Sequence, residues 1–138
     1  MISILTFLTR YCGYLFERPG FRFADSSTGA NDFYGSSVLL VSKDVEIFVT
    51  NERSEMIWQI RSVHDPRKYA WFSFDLVAQL LSYPVTGALM NSENCNFMKE
   101  ALPSVLERFE KGKVSRTLKE LEVLQRKREK TRWKRPKG

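Results

Sequence analysis

The chain has 138 residues, 43% of them hydrophobic and 28% charged, with a formal net charge of +6 and only two cysteines. That is one domain's length, enough to bury a core without staples, and the composition of an ordinary globular protein. Two distant cysteines argue against a disulfide framework. The charge is unevenly placed. Residues 111–138 carry twelve Lys/Arg and three Glu, whereas residues 1–110 carry ten Lys/Arg against thirteen Asp/Glu. The expected body is mildly acidic, and the excess positive charge sits at the C-terminal end. We therefore divide the chain into a single domain over 1–124 and a basic extension over 125–138.

Residues 2–17 show apolar positions at helical spacing, with Ile4, Leu8, Tyr11 or Cys12, and Leu15 on one side. The apolar start has no basic lead-in and is interrupted by Arg10, so it reads as neither a signal peptide nor a membrane span. Arg18-Pro19-Gly20 ends that helix. Phe21-Arg22-Phe23-Ala24 alternates as a short strand. Asp25 to Gly35 reads as a polar loop that carries two aromatics, Phe33 and Tyr34.

The centre of the chain is a strand meander. Val38-Leu39-Leu40-Val41 is apolar on both faces, as in a covered central strand. Val45, Ile47 and Val49 alternate with Glu46, Phe48 and Thr50. Met56, Trp58 and Ile60 alternate with Ile57, Gln59 and Arg61. Lys43-Asp44 is placed as a hairpin loop, without the glycine that usually marks one. Residues 51–55 form a second connection. The predicted core is Ile47, Val49, Trp58 and Ile60, joined by Phe21, Phe23, Trp71, Phe72 and Phe74.

Helical spacing begins near Trp71 and continues through Leu81, with Ser73 as N-cap. A further helix capped by Ser92 runs to about Ala101, where Pro103 interrupts or restarts it. Gly112 closes that segment. The last helix starts near Ser115, with Leu118, Leu121 and Leu124 as its apolar stripe. The fold class that follows is α+β: an antiparallel sheet of about four strands, with an N-terminal helix and C-terminal helices packed on one face.

The order of elements resembles small bacterial α+β proteins of the kind that serve as immunity proteins in polymorphic toxin systems. The residues that carry this resemblance are Tyr14-Leu15 to Phe23, Val38 to Val49, and Trp71-Phe72 to Leu81. It implies a binding role, with a protein partner such as a toxin or a defence-system component, and it assigns no site residues.

Catalytic chemistry finds little support. His64 is the lone histidine; beside Asp65 it reads as a turn residue rather than an acid–base group, because catalysis needs several groups together. Cys12 and Cys95 are far apart in sequence and read as reduced thiols of a cytoplasmic protein. One His and two distant Cys make no metal site, and no glycine-rich phosphate loop is present. We expect neither an enzyme nor a cofactor.

Two surfaces remain as binding candidates. The first is a protein-recognition face formed by Phe33, Tyr34, Phe48, Gln59 and Arg61, where aromatic residues lie on a mixed polar surface. The second is the basic end, with Arg126, Lys127, Arg128, Lys130, Arg132, Trp133, Lys134 and Arg135. It suits nucleic acid or an acidic partner. The leading expectation is a cytoplasmic protein-binding module of the immunity or inhibitor type. The alternative is a nucleic-acid-associated protein that binds through its basic tail.

Overall fold

The computed structural model describes residues 4–17, 20–27, 34–52, 55–67, 70–85, 87 and 89–133. The protein is α+β, with a five-stranded antiparallel sheet in the order β1-β2-β3-β4-β5 and helices before and after it.

Helix α1 (Ile4–Tyr11) buries Ile4, Phe7 and Leu8, one turn apart on one stripe. It stops at Cys12, earlier than the apolar spacing predicts. Gly13 follows, and glycine is a poor helix former. A 3₁₀ turn over Gly13–Phe16 then aims Leu15 into the core.

The sheet follows as β1 (Arg22–Ser27), β2 (Tyr34–Val41), β3 (Val45–Glu52) and β4 (Glu55–Ser62). The expected loop over 25–35 is shorter than predicted, because both flanking strands extend into it. The β2–β3 hairpin closes without glycine. Ser42 N–H donates to Val45 O at 2.9 Å, and the Ser42 hydroxyl accepts from Val45 N–H at 3.2 Å. Serine does here what a left-handed glycine does in tighter hairpins.

The fifth strand, β5 (Phe72–Ser73), pairs with Ile60 and Gln59. It raises the expected four strands to five, and it lies at the start of the stretch where the helical spacing begins. Helix α2 (Phe74–Leu80) begins directly after it. Ser73 does occupy the N-cap position, though its side chain makes no capping bond.

Helix α3 (Ser92–Arg108) is capped by Asn91 rather than Ser92; the Asn91 side chain accepts from Asn94 N–H at 2.8 Å. It runs unbroken through Pro103, which is exposed. Cys95, Met98, Leu102, Val105 and Phe109 are all buried at three- and four-residue spacing on both sides of the proline. That shared apolar face offsets the roughly 3 kcal/mol a mid-helix proline costs.

Helix α4 (Val114–Trp133) buries Val114, Thr117 and Leu121, with Leu118 and Leu124 packed at the edge. It continues past residue 125 without a break.

The core lies between one face of the sheet and the helices. Ile47, Val49, Trp58 and Ile60 are fully buried, as the alternation predicts. Phe23 departs from the expectation. Its strand partner Leu40 is fully buried, but Phe23 lies on the edge strand, is 50% exposed and stacks on Phe16 at 5.2 Å.

Candidate functional site

Directly paired residues in an antiparallel sheet point to the same face. The registers therefore define the face opposite the helices. One row runs Ser37–Thr50–Ile57, a second Leu39–Phe48–Gln59, and a third Val41–Glu46–Arg61. All are half-buried except Arg61, which is 7% exposed. Leu39, Val41, Phe48 and Ile57 stand apart from the apolar cluster that the helices cover. Within β2–β4 the first two rows carry no charge; the register continues the second onto Asp25 of β1 and Ser73 of β5.

One end of this face is closed by the turn that leads from β4 to β5. Trp71, expected in the core, packs instead on Phe48, with ring centroids 5.7 Å apart. Arg61 holds the turn in place. Its guanidinium meets Glu46 at 3.2 Å and donates to Asp65 O at 2.8 Å and Arg67 O at 3.2 Å. It also lies 5.8 Å from the centre of the Trp71 ring. Arg61 is thus a buried clamp rather than an exposed contact residue. The charge that should have lain on the face is neutralised by Glu46, and the centre of the face is left neutral.

Of the other residues expected at this surface, Phe48 and Gln59 lie in its middle row. Tyr34 opens β2, and Phe33 lies outside the described residues. Trp71 and Leu39 are surface members that sequence reasoning missed. Trp71 sits two residues before a helix and looks like core, and Leu39 belongs to a run that is apolar on both sides.

His64 does not pair with Asp65. Its Nε2 lies 2.8 Å from Asp44 Oδ1, across from the β2–β3 turn. Asp65 is occupied by Arg67, whose backbone N–H and guanidinium both donate to it. The Ser62 hydroxyl beside His64 accepts from the His64 backbone N–H and donates to Phe109 O. These groups tie two turns to the end of α3. Among the described residues, no group of three or more His, Cys, Asp or Glu side chains could hold a metal ion.

The basic residues at the C-terminal end of α4 differ in exposure. Arg126, Lys127 and Lys130 are exposed. Arg128 folds back on α2, donating to Asp75 Oδ2 at 3.1 Å and to Gln79 Oε1 at 3.1 Å. Arg132 and Trp133 end the helix, and Lys134 and Arg135 lie outside the described residues. No helix of the described residues is long and apolar enough to cross a membrane.

The two cysteines, 83 positions apart, meet in the core with Sγ atoms 3.1 Å apart. Tyr14 donates to Cys95 O at 3.0 Å. The sulfur–sulfur hydrogen bond, followed by burial, pushes the Cys12 thiol far above its ordinary 9.0; burial does the same to the Tyr14 hydroxyl. Both groups keep their protons more tightly in the folded state than in the unfolded one. Stability is therefore full below the unfolded thiol's pKa and falls as pH rises through it, by up to about 1.4 kcal/mol per pH unit for each group. We expect the melting temperature of the reduced protein to drop from about pH 9 upward. Cys12→Ala should delay that drop until tyrosine begins to titrate; an identical alkaline profile in the variant would contradict the assignment.

Comparisons of the chain with protein-family models, with curated proteins and with solved structures give no match.

Proposed function

We propose that the protein is a cytoplasmic binding module of the immunity or inhibitor type, which occupies the surface of a protein partner through its helix-free sheet face. The observation that carries this reading is the pair of rows Ser37–Thr50–Ile57 and Leu39–Phe48–Gln59, uncharged across β2–β4 and apart from the apolar cluster that the helices cover. A neutral surface of aliphatic and aromatic groups with short polar side chains suits a protein interface core. These rows offer no cation to a phosphate backbone. Trp71 at its margin, braced by Phe48 and Arg61, supplies a rigid aromatic of the kind that dominates interface energy. A toxin or defence-system component encoded beside this protein is the partner class that fits the resemblance in element order. The module does no chemistry of its own.

The competing reading uses α4, where Arg126, Lys127 and Lys130 are exposed within little more than one helical turn. A single titration series separates the two. Wild type, Phe48→Ala, Gln59→Ala and the double variant Arg126→Glu/Lys130→Glu are each titrated with the adjacent gene's product and with a duplex oligonucleotide. Phe48→Ala should weaken the protein partner by roughly 30-fold, the effect of a hot-spot residue worth about 2 kcal/mol. The charge reversals should leave that affinity unchanged. Oligonucleotide binding with a steep salt slope, abolished by the reversals, would transfer the function to α4.

A further inference from the structure

The structure assigns Cys12 and Cys95 as a redox pair: the buried dithiol closes to an intramolecular disulfide when the protein meets a low-molecular-weight disulfide such as oxidised glutathione. The geometry carries this. The two Sγ atoms lie 3.1 Å apart, about 1 Å more than the roughly 2.0 Å of a disulfide bond. Both residues are essentially fully buried, with 0% and 1% exposure, so no solvent separates them. They join two elements far apart in sequence, the end of α1 and the first turns of α3.

The two sulfurs are not equivalent. Cys12 sits where α1 ends, with φ −127° and ψ 24°, outside helical geometry. Cys95 lies within α3, and its N–H bonds to Asn91 O at 2.9 Å. Buried thiols exchange only when the structure opens locally. The break beside Cys12 is the weaker point, so Cys12 reacts first and Cys95 resolves. Cys12 Sγ loses its proton and attacks one sulfur of the small disulfide; that S–S bond breaks, and one half leaves as a thiolate that takes up a proton. Cys95 Sγ then loses its proton and attacks the Cys12 sulfur of the mixed disulfide. The Cys12–Cys95 bond forms, and the second half leaves as a thiol. Two protein thiols are oxidised, and one small disulfide is reduced to two thiols. In a reducing compartment the pair rests as the dithiol, and oxidation closes it.

The consequence is a covalent tie across 83 positions. Cross-linking so long a loop restricts the unfolded chain strongly, and the oxidised protein should melt on the order of 10 °C above the reduced one. The test uses the full chain, equilibrated in glutathione buffers from fully reduced to fully oxidised. The samples are quenched with acid, alkylated under denaturing conditions and weighed intact. The expected oxidised product is a monomer that has lost two hydrogens and takes up no alkyl group, with the raised melting temperature. Cys12→Ser and Cys95→Ser should each abolish the melting shift. Two alkylatable thiols after equilibration in the most oxidising buffer would overturn the assignment. So would glutathione adducts or intermolecular dimers in place of the internal bond. These wild-type readouts stand even if a serine variant fails to fold.

Discussion

Trp58→Ala is expected to destabilise the protein by about 3–5 kcal/mol, the range for removing a fully packed aromatic. Trp58 is 0% exposed and sits opposite Val49 in the central β3–β4 pair. Its ring fills the space between the sheet and the helix layer, so truncation leaves a cavity that the strands cannot collapse into without losing register. The indole Nε1–H has no hydrogen-bond partner among the described residues. An orphaned buried donor costs about 1–3 kcal/mol. Trp58→Phe removes that donor along with part of the ring and should therefore lose far less than the alanine variant. Urea denaturation of the two variants checks both statements. An alanine variant that unfolds at the wild-type midpoint would mean that the helices do not rest on this strand.

Arg61→Ala should cost about 3 kcal/mol, because several charge-assisted bonds are lost at one buried position. The Asp65 and Arg67 carbonyls lose their donor, Glu46 loses its counter-charge, and Trp71 loses the cation beside its ring. Arg61→Lys should not restore stability, since an ammonium cannot reach two carbonyls and a carboxylate as a planar fork does. Glu46→Gln should be milder: the Glu46 side chain is 20% exposed, and the amide oxygen can still accept from the Arg61 guanidinium. The Arg61 Nε–H is itself without a partner among the described residues, which limits what the clamp contributes. Hydrogen exchange is the diagnostic measurement. Residues 63–67, 70 and 71 should exchange faster in Arg61→Ala, while β3 and the core side of α3 keep their protection. Unchanged exchange in that turn would remove Arg61 from its role as clamp.

The charge balance at the Arg61 end of the sheet face is a product of this clamp. Arg61 and Glu46 stand opposite each other in the register and cancel. Without it, the face would present a lone carboxylate beside Phe48 and would read as a different surface.

What the sequence by itself determined is whatever repeats along the chain. The two-residue period of Val45, Ile47, Val49 and of Met56, Trp58, Ile60 specifies both strands and their buried face. The three- and four-residue spacing from Cys95 to Phe109 specifies one continuous helix face, although proline obscures it in a local reading. Only the tertiary structure decided matters that depend on partners distant in sequence. A two-residue strand such as β5 is too short to hold a period, and it exists because Ile60 and Gln59 offer it an edge. Phe23 and Trp71 have the composition of core residues, but edge position exposes the first and the β4–β5 turn places the second on the far face. Arg61 has the composition of a surface residue and is buried by carbonyls four and six positions later. His64 finds Asp44 rather than its neighbour, Arg128 finds Asp75, and Cys12 finds Cys95. Periodicity records which face a residue takes within its own element; charge pairing and sulfur contact depend on how elements dock, and no local pattern encodes that.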